Sequence, residues 1–223
     1  MNRVITYILG LAACIGAGVQ PVFAQVNLKA GYSIGLVSDK GLNSVIDQFN
    51  SKQPYTNGFN HLSWVHGVEV GLRFKTDIHA FELNYQGGYQ RIKAKGDTNG
   101  GTEPYTDKLR ISVNSAGLGY NITGEVFGMG AEAQYQWYQT RVELTQEARD
   151  FNHVQNMWAL KVYCMFTLHG QNSIDAQLQP YYILPFDHYD LEPLSQFLNN
   201  EPGPAGERWT RIGISMLFYN GRK

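Results

Sequence analysis

The 223 residues carry 18 basic and 19 acidic side chains, a balance that argues against nucleic acid as the partner, which would want a clustered basic surface. Of the two cysteines, Cys14 lies in an apolar leader and Cys164 stands alone after it, which leaves the processed chain no internal disulfide and no cysteine-based metal site. Beyond the leader no segment approaches the ~20 consecutive apolar residues of a membrane-spanning helix, so any membrane crossing falls to strands.

Residues 1–24 read as an export signal. Arg3 is their only charge, an apolar run extends from Val4 to about Val19, and Val22-Phe23-Ala24 supplies the small residue needed for cleavage. Leu11-Ala12-Ala13-Cys14 also fits a lipoprotein signal, but it comes early and apolar residues continue past it, so simple cleavage before Gln25 is expected. The mature domain is then 25–223, with 17 basic and 19 acidic residues because the leader contributes Arg3 alone.

Eight alternating segments follow, and a period of two predicts strands with unlike faces. The first sets Val26, Leu28, Ala30, Tyr32, Ile34 and Leu36 against Asn27, Lys29, Gly31, Ser33 and Gly35. In the second, Leu62, Trp64, Val68, Val70, Leu72 and Phe74 oppose Ser63, Gly67, Glu69, Gly71 and Arg73; in the third, Phe81, Leu83 and Tyr85 oppose Glu82, Asn84 and Gln86. The fourth begins with Leu109, Ile111 and Val113 and changes phase to Leu118, Tyr120 and Ile122, which predicts a bulge near residues 115–117. The fifth runs from Phe127 to Trp137, the sixth from Trp158 to Leu168, the seventh from Ile174 to Tyr182 and the eighth from Arg211 to Tyr219.

The connections alternate long and short: 37–60, 75–78, 91–106, 121–124, 141–153, 169–172 and 187–207. Eight strands joined in that rhythm predict an all-β, antiparallel up-and-down transmembrane barrel with both ends on the short-turn side. Leu42, Val45, Ile46 and Phe49 fall at helical spacing in the first long loop, predicting a short amphipathic helix over the mouth, capped by Ser38 or Asn43.

The same alternation suits a soluble barrel with an apolar interior, so the orientation of the faces decides the fold. The polar face holds five cations and four anions, Lys29, Glu69, Arg73, Glu82, Arg110, Glu132, Lys161, Asp175 and Arg211, among Gly, Ser, Asn and Gln. Balanced charge between small residues fits a narrow, self-neutralised lumen, and the apolar face is expected to meet lipid. Trp64, Trp137, Tyr182, Phe186 and Trp209 lie near one end of the strands, and Phe74, Phe81, Tyr120, Phe127, Phe218 and Tyr219 near the other, as two interfacial belts would. Pro180 inside the seventh segment predicts a second bulge, with Pro185 ending the strand. Ala159, Tyr163 and Met165 make part of the lumen apolar.

On these features residues 26–219 resemble the small eight-stranded outer-membrane families typified by the OmpA membrane domain, OmpX and OmpW. The closing RIGISMLFY resembles their aromatic-terminated assembly signal, with Phe218 or Tyr219 in the terminal role, although Asn220-Gly221-Arg222-Lys223 follow. The helical first loop resembles barrels of Bacteroidota. The resemblance implies residence in a Gram-negative outer membrane, with lipid and lipopolysaccharide as surroundings and protein partners reached through the long loops or the face bearing His66. No cofactor is implied.

Two clusters bear on chemistry. His61-Leu62-Ser63 has a spacing similar to lipid A deacylases, and Phe186-Asp187-His188-Tyr189-Asp190 could bind a metal or supply a base. Both read more simply as polar loop-end residues. The expected role is therefore structural or partner-binding, with a lipid A-modifying enzyme and a narrow conduit for small hydrophobic molecules as the alternatives.

Overall fold

The computed structural model describes residues 25–53, 55–98, 103–169, 174–204 and 206–220; the leader lies outside these. The strands are β1 (Gln25–Val37), β2 (Tyr55–Asn57), β3 (Trp64–Thr76), β4 (His79–Thr98), β5 (Glu103–Thr123), β6 (Phe127–Leu144), β7 (Arg149–His169), β8 (Ile174–Pro185) and β9 (Arg211–Asn220). Two helices, α1 (Lys40–Lys52) and α2 (Glu192–Asn199), sit in the first and last long connections. Eight strands close in sequence order through antiparallel pairs, β9 returning to β1 and β4 pairing β5. The three-residue β2 adds to the far end of β4.

The faces are oriented as an up-and-down transmembrane barrel requires. Leu28, Phe81 and Leu118 on the outer wall are 59%, 60% and 69% exposed, whereas Lys29, Glu69, Glu82 and Glu132 inside are buried. The two belts bracket the exposed aliphatic band, and the step from Phe127 to Trp137 on β6 spans roughly 26 Å along the axis, at ~3.4 Å per residue and ~40° tilt. Two expected belt members turn inward: Trp209 and Tyr219 are buried.

Strand lengths are unequal, and this organises the molecule. β4 to β7 run 18 to 21 residues, against 10 to 13 for β1, β3, β8 and β9. The long four project beyond the band as an open wall, so most of 91–106 and 141–153 is strand where long loops were expected. Along that wall the polarity reverses. On β5, Leu118, Tyr120 and Ile122 face out and Leu109, Ile111 and Val113 face in, with unbroken register to both neighbours. The change of phase in the sequence is thus no bulge. It marks the level at which the outer solvent changes from hydrocarbon to water.

The inward face of the wall needs an apolar cover, and α1 and α2 provide it. Leu42, Val45, Ile46 and Phe49 of α1 pack with Leu194 and Leu198 of α2 and Leu191 at its start against Ile92, Leu109, Ile111, Val142 and Met157. The helix N-terminus is not held by Ser38 or Asn43. The Glu207 carboxylate accepts from the backbone N–H groups of Lys40 and Gly41 at 3.1 and 2.7 Å, placing negative charge at the positive end of the helix dipole. Asn199 donates to the Val45 carbonyl (3.2 Å) and Lys52 to that of Asn199 (3.3 Å), pinning the helices together. The free edge of β7 is covered too: Gln155 donates to the His188 carbonyl and accepts from the Asp190 N–H, both at 2.7 Å.

Pro180 interrupts the wall without shifting it. Tyr163 pairs Tyr181 and Phe166 pairs Leu178, the same register on both sides, and only the pairs between them are missing. A bulge is therefore absent; the lost donor is absorbed as a local gap. The strand does end at Pro185.

Candidate functional site

Three regions hold the candidate residues: the lumen, the rims, and the helix-covered crown.

The lumen gathers Lys29, Glu69, Arg73, Glu82, Glu132 and Lys161. Successive inward positions on β1, β3, β4, β6 and β7 aim these side chains at one axis. Lys29 Nζ lies 2.6 Å from Glu69 and 2.9 Å from Glu82; Lys161 Nζ lies 3.1 Å from Glu69. Glu82 also accepts from Asn84 and Asn121, and Arg73 Nε is 3.8 Å from it while its guanidinium covers the Tyr219 ring at 4.9 Å. Glu132 accepts from Asn84 (2.8 Å) and Gln134 (2.9 Å), and a ladder continues through Gln136 to Tyr138. Ion pairs this deep survive because the carboxylates are held by ammonium groups and amides together, while Arg73 Nε and the Asn84 and Asn121 side-chain oxygens have no hydrogen-bond partner among the described residues. These six charged side chains are buried and face one another across the lumen.

Arg211 is equally buried, yet its Nε and Nη2 have no hydrogen-bond partner among the described residues. Beside the charges, on both sides of Lys161, Ala159, Tyr163, Met165, Tyr181 and Ile183 form a small apolar cluster. The expected dry patch on β7 is part of it.

Two residues assigned to the lumen lie elsewhere. Arg110 projects outward, because with no bulge β5 keeps its parity; its guanidinium stacks over Tyr89 at 5.1 Å. Asp175 sits at the rim on the turn side, half-buried, 3.1 Å from His169 Nδ1 and away from the central charges.

Apart from His153, which packs between Phe151 and Tyr189 in the crown with its Nε2 buried, the histidines occupy the belts and the surface. His66 faces outward within a ring of Tyr32, Trp64 and Tyr89, with the Tyr32 hydroxyl on its Nδ1. His79 repeats this near the turns, with Tyr120 Oη at 2.7 Å. His61 Nε2 meets Asp47 of α1 at 2.9 Å, both exposed; Ser63 is exposed in the same connection. Within Phe186–Asp190, Tyr189 is buried, stacks on Trp209 at 4.1 Å and hydrogen-bonds Thr140 at 2.7 Å, while the residues beside it turn to solvent. Burial pushes the Tyr189 phenol up to about 12. Among the described residues no three His, Cys, Asp or Glu converge on a metal-sized site.

Two features carried signals that were not used. The helix α2 shows in Leu191, Leu194 and Leu198 with Pro193 in the first turn. Beside Pro180 the outer wall has an apolar depression of about 730 Å³, bordered by Tyr120, Met129, Val162, Cys164, Pro180 and Ile212. Its signal was the proline near Ala131 and Cys164, small side chains on neighbouring outward positions.

No family model matches the sequence and no curated protein aligns with it. The solved structures to which the chain is similar are small outer-membrane β-barrels. Neisserial surface protein A is 10% identical, with 88% of this chain and 97% of that chain covered at a TM-score of 0.48. The attachment invasion locus protein Ail of Yersinia pestis, in complex with the heparin analogue sucrose octasulfate, is 10% identical over 90% and 99% of the two chains, at 0.46. The outer membrane protease OmpT of Escherichia coli is 12% identical over 88% and 95%, at 0.38.

Proposed function

We propose that this chain is an integral outer-membrane barrel, exported by a cleaved signal peptide with both ends of the mature chain in the periplasm, whose role is non-catalytic. A sealed stem carries a rigid helix-covered crown out of the membrane, where it meets lipid, lipopolysaccharide and a protein partner. The carrying observation is the reversal of polarity along β4 to β7. One wall has a hydrocarbon-compatible exterior around a charged, filled lumen, then a polar exterior around an apolar core of strands and helices. A filled lumen supports neither a general pore nor a buried active centre. His61 is engaged by Asp47 at the surface, and Tyr189 serves as a packing pillar.

Affinity purification from native membranes after cross-linking tests the reading. The expected result is a partner cross-linked to crown residues such as Gln48, Lys52 or Glu201, recovered only with detergent. A processed chain that stays folded and monomeric in plain buffer refutes the membrane assignment. Altered lipid A acylation on overexpression, abolished by His61→Ala, would replace the non-catalytic role with an enzymatic one. Retention of a small hydrophobic ligand by the purified barrel, lost when Ala159→Phe crowds the apolar cluster of the lumen, would favour the conduit alternative.

A further inference from the structure

The outer wall of the crown carries a charge pattern that the fold itself does not use. In the ladder, Arg91 stands opposite Arg110, and Arg110 opposite Arg141. One step further from the membrane band, Lys93 stands opposite Lys108 and Lys108 opposite Glu143. Arg91, Lys93, Arg110, Arg141 and Glu143 are exposed and Lys108 is half-buried, all on the outward parity. Like charges directly opposed on one sheet face repel.

Relief from within the chain is partial. Arg110 rests on Tyr89 and donates to Ser112 Oγ at 3.2 Å; Glu143 is held by Lys108 at 2.9 Å; Arg141 is within 2.9 Å of the Gln139 amide. Neither Arg91 nor Arg141 has an ion pair among the described residues. The surrounding cations, with Lys108 foremost, hold the Glu143 carboxyl below its ordinary range. The three arginines, Lys108 and Glu143 border a depression of about 110 Å³, room for a few waters or one tetrahedral oxyanion.

Height and continuity indicate what meets this row. Trp137 and Tyr89 belong to the aromatic belt, which marks the membrane interface. From Trp137 to Arg141 the wall climbs roughly 10 Å further along the axis, at ~3.4 Å per residue and ~40° tilt, into the layer of lipid phosphates and sugars. On the outward parity of β5 the order is Lys108, Arg110, Ser112, Asn114, Ala116, Leu118, Tyr120 and Ile122, a descent from cationic through polar to apolar. That gradient complements an amphiphile lying along the strand, with its anionic head at the arginines and its chains on the band below.

We propose that the outward face of β4, β5 and β6 is a docking surface for the phosphorylated headgroup of an outer-leaflet lipid, with Arg91, Arg110 and Arg141 as its phosphate ligands. Guanidinium groups suit this role because their paired N–H donors match two oxygens of one phosphate. The proposal rests on the membrane-barrel reading and names the lipid chemistry that reading leaves open.

The test uses the full mature chain extracted in mild detergent and mixed with phosphorylated or dephosphorylated lipid A, with bound lipid counted by native mass spectrometry. The variant Arg91→Gln/Arg110→Gln/Arg141→Gln is compared with Lys40→Gln/Lys75→Gln/Arg208→Gln, which removes the same charge elsewhere. The arginine variant should bind phosphorylated lipid A roughly 100-fold more weakly, since each basic residue near an anionic lipid surface is worth roughly a factor of five. The control should bind like the wild type, and dephosphorylated lipid A should not distinguish the three proteins. Equal binding of phosphorylated lipid A by the arginine variant and the wild type overturns the proposal. So does binding of inorganic phosphate or a soluble sulfated glycan as strongly as lipid, which would make the row a soluble-anion site. If the triple variant fails to fold, Arg91→Gln and Arg141→Gln singly should each weaken binding roughly fivefold, and no change in either overturns it. A wild-type chain that needs no detergent refutes the membrane reading itself; one that needs detergent but ignores the phosphate refutes the docking surface alone.

Discussion

Replacing Glu69 by Gln probes the lumen where its charges are most interdependent. Glu69 is fully buried and serves two ammonium groups, Lys29 at 2.6 Å and Lys161 at 3.1 Å, and accepts from Ser215 at 3.2 Å. After the change Lys29 keeps Glu82 at 2.9 Å. Lys161 then has no carboxylate within 4.0 Å; it keeps the ring faces of Tyr163 and Tyr181, 5.6 and 5.2 Å away, and Glu132 opposite it in the ladder. One buried cation is thus left without a direct ion pair, a loss of about 3–5 kcal/mol. The midpoint of urea unfolding in detergent, followed by tryptophan fluorescence, should fall by roughly 1.5–2.5 M for a slope near ~2 kcal/mol per molar. Adding Lys161→Met removes the orphaned charge, so Glu69→Gln/Lys161→Met should return to within about 1–2 kcal/mol of the wild type. A loss below about 1 kcal/mol for Glu69→Gln, or no recovery in the double variant, would mean that water screens these charges and the lumen is not sealed.

The reversal on β5 predicts opposite tolerances eight residues apart. Leu118→Arg should destabilise the barrel in bilayers by about 2–4 kcal/mol, and Arg110→Leu, on the same outward parity, should change unfolding by less than about 0.5 kcal/mol. Equal effects would deny the change of solvent. Glu207→Ala removes the carboxylate from the start of α1 and should cost about 1 kcal/mol, read as faster hydrogen exchange at Gly41 and Leu42 with unchanged protection in β1. The Tyr189 phenol is raised from about 10 to about 12, so the folded crown holds this proton more tightly than the unfolded chain. Its contribution is complete below pH ~10 and fades as pH climbs towards ~12, by at most about 3 kcal/mol. Tyr189→Phe should flatten that part of the alkaline unfolding profile, and an unchanged profile would show that the phenol is not buried.

Much of the stem was legible because each embedded strand meets two unlike solvents and must alternate. Val26 to Leu36 and Phe127 to Trp137 never break parity, so strand identity and outward face followed from them. The same rule failed where the outer solvent changes. Leu109, Ile111 and Val113 obey the alternation of a water-soluble wall, so their parity is opposite to that of Leu118, Tyr120 and Ile122. A period of two cannot distinguish this reversal from an inserted residue. That ambiguity moved Arg110 into the lumen on paper and turned strand into loop at 91–106 and 141–153. Pro180 misled for a different reason: a missing N–H demands a local interruption but not an extra residue. Lys29, Glu69, Arg73, Glu82, Glu132 and Lys161 were placed by parity, but which cation meets which anion depends on stagger between strands, which a single sequence does not contain. Glu207 as the partner of α1 was invisible because 166 residues separate it from Gly41.

The reversal of polarity along β4 to β7 also acts as a plumb line. Sinking by one inward–outward repeat would drag Arg110 and Arg141 towards hydrocarbon, and rising by one would lift Tyr89 and Trp137 off the interface and carry Leu118 and Leu160 towards water. Each displacement is opposed from the first few ångströms, so the protein floats at a single draught whatever the thickness of the sheet of lipid around it. Where the surrounding leaflet is thinner or thicker than that draught, it is the lipid that must deform.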